Sequence, residues 1–489
     1  MEEKYIVALE IGSSKIKGAV GTVDSNGSLS VKAIEEEKLI DGVRYGCIRN
    51  VAETANAVSN VITRLEQREA QRKVTGVYVS VGGRSLSSQI IEIERRLPTE
   101  MEITREMITD ITNDALAYPL HERSVICVTP REFKVDNCPT NPVGMMGSHI
   151  SARLNLVSCR NQLMRNLHVV LDERLHLRVH ETFVRQLAEA DLVLFTEEKR
   201  LGCMLVDFGA ETTTVSIYKN NVLQYLATIP MGSRNITRDI TTLNHLEERA
   251  EELKIMGGNA LSSPEHATVY NQNGTDYSQI NNYVAARAGE IIANISEQIK
   301  YARLTPEKLP GGIIIIGKGA KLNGFNARLE SATSMKVRVG APGTHIRITD
   351  GRIQPSDAVD VISVLAAAAK CMPVQECMTK PPTVFTSPNP VAEDSIFPGA
   401  ATSAATAHRT AQPTVSTPAP QPKQEEQAKP TVSRPQAPKI ENITQEVPEE
   451  APTVYASGSR KSPLNKAWEK FKVKFVEAIT EKEEEEDEE

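Results

Sequence analysis

Several absences in this sequence narrow its reading before any motif is considered. The seven cysteines form no Cys-x-x-Cys pair and no regular spacing. That pattern argues against a zinc site and suits reduced thiols in a cytoplasmic protein. No window of about 18 apolar residues occurs, so no transmembrane helix is expected. Met1-Glu2-Glu3-Lys4 leads into a short apolar run that reads as a strand, not a secretory signal. A basic surplus is also missing. The formal net charge is −7, from 56 Lys and Arg against 63 Asp and Glu. Residues 481–489 hold eight acidic residues and one Lys, and the rest of the chain sums to zero. With no net positive field, nucleic acid is not an expected partner.

What is present divides the 489 residues into a body and a tail. Of 27 prolines, 11 fall in residues 1–372 and 16 in the 117 that follow. Residues 379–462 are rich in Pro, Ser, Thr, Ala and Gln and hold few large apolar side chains. Such a segment cannot offset the entropy of ordering, so a disordered linker is expected. Its root-mean-square reach is roughly 50 Å.

Within the body, apolar runs alternate with tight turns. Strands are expected over 5–9, 15–23 and 29–36, then a helix over 51–72 and a buried strand over 74–81. This is the opening of a layered α/β domain. Residues 84–165 change character and read as an inserted small α+β module, with a helix over 105–117. A second strand–turn–strand series begins at Cys203 and repeats the opening motif, which suggests a duplicated fold. Helices are expected over 238–256 and 284–303. His176 and His180 are four apart, but no third ligand accompanies them, so a structural role is favoured over zinc.

Three glycine turns each follow an apolar strand. In Glu10-Ile11-Gly12-Ser13-Ser14-Lys15, Gly12 permits close backbone approach, the two serines offer donors and Lys15 a cation. Together they suit a phosphate, and Glu10 suits a magnesium ion held through water. Asp207-Phe208-Gly209-Ala210-Glu211-Thr212 carries the same chemistry. The third turn is Gly317-Lys318-Gly319-Ala320 after four isoleucines. A Walker A reading of Gly312 to Lys318 fails, because the intervening residues form a strand and Gly319 stands where Ser or Thr is required.

These turns resemble the two phosphate motifs and the adenosine motif of the actin/Hsp70/sugar-kinase superfamily. The inserted module, with Pro142-Val143-Gly144-Met145-Met146-Gly147, is similar to that of FtsA, the actin-like bacterial cell division family. So are residues 229–240, 250–254 and 287–291. The resemblance covers residues 4–372 and reappears at the C-terminus. It implies a two-lobed actin-like α/β fold with ATP and Mg2+ between the lobes. Glu10 and Asp207 would face magnesium. Gly12, Ser13, Ser14, Lys15, Gly209 and Thr212 would bind phosphate. Glu251 and Lys254 would lie near ribose and adenine, with Gly317, Lys318 and Gly319 beside the nucleotide.

Family members commonly carry Asp at the position of Glu10, and glycines where this chain has Ala210, Glu211 and Lys318. Weak ATPase activity at most is therefore expected, with no catalytic base assigned. Lys318 is expected to neutralise Glu211 beside the polyphosphate. On this reading the first lobe takes residues 1–83 and 166–200 and the insertion 84–165. The second lobe takes 201–378, with a smaller subdomain at about 235–304.

The extreme C-terminus reads as a membrane anchor. On a wheel of about 100° per residue, Leu464, Trp468, Phe471, Phe475 and Ile479 share an arc of about 80°. Lys472 and Lys474 flank that stripe, and residues 460–480 carry six cations against Glu469 and Glu477. The chain's single Trp lies here. An interfacial helix over 463–480, followed by the acidic tail 481–489, is expected to meet anionic lipid. The FtsA resemblance implies a peripheral protein on the cytoplasmic face of the inner membrane, at the division septum. It implies self-association into filaments, recruitment of FtsZ through the FtsZ C-terminal tail, and recruitment of later division proteins. The alternatives are an actin-like pilus-assembly scaffold and a sugar-kinase-like phosphotransferase.

Overall fold

The computed structural model describes residues 3–70, 72–261, 277–343 and 346–380. The expected linker beyond residue 380, the helix over 463–480 and the acidic tail lie outside the described residues.

The first sheet grows from consecutive apolar strands joined by tight turns. Lys4–Ile11, Lys15–Val23 and Leu29–Lys38 pair antiparallel in sequence order. Lys4–Ile11 then pairs in parallel with Gly76–Val81, and that strand with Arg178–Val184. A parallel neighbour requires a crossover, which the helix Val51–Arg68 supplies. Asn50 caps this helix by accepting from the Glu53 N–H at 3.1 Å. Val58, Val61 and Leu65 form its buried stripe. Gly18 lets the helix approach, since a Cβ there would lie 2.5 Å from Val61 Cγ1.

The same scheme recurs in the second lobe. Val222–Ile229, Thr213–Lys219 and Cys203–Phe208 pair antiparallel, and Ile313–Ile316 and Val337–Val339 extend the sheet in parallel. The four isoleucines are buried on both faces, as a central parallel strand demands. Between the strands of the first lobe, residues 87–160 form an antiparallel sheet of their own. Helix Arg105–Leu116 covers it over a separate core that includes Ile103, Ile111, Phe133 and Leu154.

Two expectations need correction. The single helix over 238–256 is two helices, Ser233–Thr241 and Glu247–Gly257. Between them Asn244 adopts a left-handed φ of 63°, which stops helical propagation. The histidine pair, favoured above as structural and not zinc-binding, does not lie on one helix. His176 has a positive φ, and His180 lies in the strand Arg178–Val184 with its ring 5.5 Å from that of Tyr78. The second lobe does not run to residue 378. Arg347–Ile348 pairs with Leu29–Lys38, and Met378–Thr379 pairs with Lys73–Val74.

The physical reason for this return is helix Val359–Ala369, which buries Val361, Ile362, Val364 and Leu365 in the core of the first lobe. It covers the face of the first sheet that Val51–Arg68 leaves open. Gly18 faces Val61 and Leu65, whereas Gly21 faces Leu365. Leu365→Ala is therefore expected to destabilise the body by about 2–5 kcal/mol. Chemical denaturation of the full chain, followed by circular dichroism, would measure it.

Candidate functional site

Both sheets deliver a carboxylate to the cleft by the same route. Glu10 lies near the end of Lys4–Ile11, and Asp207 lies near the end of Cys203–Phe208. Each strand has a parallel neighbour, so its C-terminal end opens into the crevice where α/β folds place ligands. Arg185 stands between them. It is the first residue of helix Arg185–Val193, directly after Arg178–Val184 of the first sheet. Its Nη1 donates to Glu10 Oε1 at 2.7 Å and its Nη2 to Asp207 Oδ2 at 2.8 Å. One turn on, Glu189 places Oε1 3.5 Å from Arg185 Nε.

Burial shifts the acid groups of this cluster. Loss of hydration pushes Glu10 up to about 7, with Asp360 adding to the rise and Arg185 and Lys17 opposing it. Burial likewise raises Asp207 against the pull of Arg185, and raises Glu189 well above the carboxylate range. The guanidinium stays charged. Burial acts against it, but Asp207, Glu10 and Glu189 outweigh that cost.

Magnesium does not fit these residues as they are arranged. The two carboxylates expected to face it are both engaged by a fixed cation. Among the described residues no group of three or more His, Cys, Asp and Glu side chains could hold a metal ion. Glu10 and Asp207, expected to face magnesium through water, both accept from Arg185. A guanidinium is a planar fork whose two nitrogens match two carboxylates, and here it bridges the lobes.

The anion of the cleft is also a group of the protein. Val43–Arg44 and Cys47–Ile48 form a hairpin whose two loop residues, Tyr45 and Gly46, have φ of 51° and 76°. Positive φ at both positions is the type I′ turn that matches strand twist. The turn aims its N–H groups into the cleft. Tyr45 N–H donates to Glu211 Oε2 at 2.8 Å, and Gly46 N–H donates to Ser13 Oγ at 2.9 Å. Glu211 Oε1 accepts from Arg44 at 2.8 Å, Arg238 at 2.9 Å and Arg234 at 3.3 Å. Its side chain is 0% exposed. Burial alone would raise its pKa, but the Tyr45 N–H and the arginines hold it below the usual value.

Lys318 does not neutralise Glu211, contrary to expectation. It pairs with Glu36 at 3.1 Å, and Lys15 pairs with the same carboxylate. The arginines of the hairpin and of helix Ser233–Thr241 reach Glu211 first. Lys15 and Lys318 thus meet at Glu36, beside an open cleft of about 380 Å³ that Lys318, Glu36 and Arg352 help to line.

The remaining candidate residues gather around the second turn. Gly209 N–H donates to Thr212 O at 2.9 Å, as Gly12 N–H does to Lys15 O at 3.0 Å. Thr212 is buried, and Ser14 O accepts from Leu39 N–H. Ser233 N–H bonds Gly209 O, and Lys254 Nζ donates to Ser233 O at 3.1 Å and to Glu251 at 2.6 Å. Burial lowers the Lys254 pKa. Gly317 has φ of 87°, and a Cβ there would meet Phe208 O at 2.5 Å. At Gly319 the space for a Cβ holds the Phe208 ring. Packing within the lobe is thus sufficient reason for that glycine.

The sequence resembles known proteins along most of its folded length. Residues 204–362 match the family "Cell division protein FtsA", and residues 83–158 match "SHS2 domain inserted in FTSA". A "Cell division protein FtsA" of Porphyromonas gingivalis is 30% identical over 346 residues, covering 68% of this chain and 72% of the relative. The chain belongs to the FtsA family. An FtsA of Escherichia coli is 26% identical over 373 residues, covering 72% of this chain and 88% of the relative. Among solved structures, the "PilM-PilN type IV pilus biogenesis complex" aligns with a TM-score of 0.55 at 16% identity, covering 74% of this chain and 98% of that one. That likeness establishes the actin-like fold, and the family match sets aside the pilus-scaffold and sugar-kinase alternatives.

Arg185, Arg44, Arg234 and Arg238 are the cleft residues of this FtsA-family chain that motif reading missed. Arg185 and Glu189 left one signal, an opposite-charge pair four apart.

Two outcomes follow. Glu211→Gln leaves three arginines facing one another, so the body should lose about 3 kcal/mol. Added pyrophosphate should raise the melting temperature of this variant more than that of the parent chain. Glu10 is raised in the folded state, so its contribution is fully present below its ordinary value of 4.5 and is lost as pH rises through about 7. Stability should therefore fall between roughly pH 5 and 7.5. Melting curves of Glu10→Gln should show a flatter slope across that window.

Proposed function

We propose that this FtsA-family chain binds ATP between its lobes, assembles into filaments, and tethers FtsZ filaments to the cytoplasmic face of the inner membrane. The observation that carries the nucleotide part is the donor set at Glu211. Three arginines and a backbone N–H converge on one carboxylate, and the same donors suit a phosphate. Ser13, Ser14 and Thr212 lie on the two turns beside them. ATP would compete with Glu211 for these donors, so a displaced Glu211 side chain is part of the nucleotide-bound state.

The tether rests on sequence beyond the body. The described residues close with Met378–Thr379 paired on the first lobe, and the Pro-rich segment starts just after them. It leads to the stripe of Leu464, Trp468, Phe471, Phe475 and Ile479 flanked by Lys472 and Lys474. A single interfacial helix binds lipid weakly and reversibly. Filaments would present many such helices to one surface, and avidity would make the tether firm. FtsZ would be engaged through its C-terminal tail by the smaller subdomain of the second lobe, with later division proteins recruited afterwards. The division septum is the location this reading assigns.

Co-sedimentation with anionic liposomes, with FtsZ added, tests the assignment. The full chain should carry FtsZ into the pellet, and deletion of residues 463–489 should abolish this. Lipid binding unchanged by that deletion would refute the anchor. FtsZ left in the supernatant by the intact chain would refute the division role. Deletion of residues 481–489 alone removes carboxylates that oppose the lysines within about one Debye length of an anionic surface. Binding should then strengthen, most clearly at low salt.

A further inference from the structure

We propose that the Arg185 guanidinium stands in the place of the divalent cation in this cleft, so that nucleotide binds without magnesium. This rests on the reading that ATP occupies the cleft.

The geometry of the three charged groups carries the inference. A metal ion in a cleft of this kind joins carboxylates from two lobes and neutralises charge beside a phosphate. Arg185 already joins Glu10 of the first lobe to Asp207 of the second, at 2.7 and 2.8 Å. Its side chain is 13% exposed, and those of Glu10 and Asp207 are 5% and 9% exposed. A divalent ion seated between these carboxylates would have to expel the guanidinium or lie against a like charge.

The surroundings hold the guanidinium where it is. Gly82 passes across it, and a Cβ at that position would lie 3.1 Å from its central carbon. A side chain there would press on the guanidinium and displace it by a few tenths of an ångström. Glu189, one helical turn on from Arg185, is buried and stands 3.5 Å from Nε. Lys17 supplies a second fixed cation nearby, bonded to Asp357 O at 2.7 Å and to Asp360. Arg185 and Lys17 offset part of the charge of Glu10, Asp207, Glu189 and Asp360, and burial raises Glu10, Asp207 and Glu189 toward their neutral forms. Of the five donors an arginine carries, two go to Glu10 and Asp207 and the Nε–H lies beside Glu189, which leaves two available to a phosphate oxygen.

The test is ATP binding by equilibrium dialysis of labelled nucleotide with the full-length chain, in magnesium and in EDTA. The affinities should agree within about twofold, a difference of under half a kcal/mol. For Arg185→Gln, which exposes the carboxylate pair, binding should become magnesium-dependent by about tenfold or more. Parent-chain binding that weakens about tenfold in EDTA would overturn the inference and leave the nucleotide reading intact. Equal binding of Arg185→Gln in both buffers would also overturn it, by removing Arg185 from the metal's role. No ATP binding in either buffer would sink the nucleotide reading and this inference with it. If Arg185→Gln fails to fold, the parent chain in the two buffers still decides.

Discussion

One buried guanidinium, shared between carboxylates of opposite lobes, is the constraint on which the cleft is built. Burying Arg185 alone would cost several kcal/mol, as would burying either Glu10 or Asp207. None of the three is tolerable without the others. The strand Lys4–Ile11 must end at Glu10, the strand Cys203–Phe208 must bring Asp207 opposite, and the helix Arg185–Val193 must begin between them. Gly82 packs closely against the guanidinium. The duplicated sheet scheme supplies the two strand ends, and the junction of strand and helix in the first lobe supplies the cation.

A second bridge obeys the same logic with the signs exchanged. Glu211 extends from the second lobe and is met by Arg44 and Tyr45 N–H of the first lobe and by Arg234 and Arg238 of its own. The type I′ turn at Tyr45-Gly46 is what aims that N–H. Charged groups of the protein thus bridge the two lobes at two places in the cleft. The chain's own side chains make contacts between the lobes. On the proposed function, a nucleotide entering the cleft would modulate closure rather than create it.

Much of the fold was legible because periodicity and punctuation are local. The three opening strands, the buried Ile313–Ile316 and the separate character of the insertion all follow from residues close together in sequence. The positions of Gly12, Gly209 and Gly317 in turns were legible for the same reason. What escaped depends on contacts far apart in the chain. Helix Val359–Ala369 returns to the first sheet because an apolar face there is otherwise uncovered, and no local pattern encodes that. Lys318 faced a choice between Glu211 and Glu36, and the nearer arginines decided it. Arg185 sits 175 residues from Glu10 in sequence, so only the folded chain reveals their pairing. Charge reading from motifs located the carboxylates and missed the cation already among them.

The central claim is that the lobes are held together by protein charges, without metal or nucleotide. Distance measurement between spin labels on genetically encoded residues at Ser59 and Ser331 tests it most directly, since both positions are exposed and lie on opposite lobes. The account predicts one narrow distance distribution in EDTA without nucleotide, little changed by magnesium and ATP. A broad or two-component distribution that narrows only when magnesium and ATP are both present would contradict it.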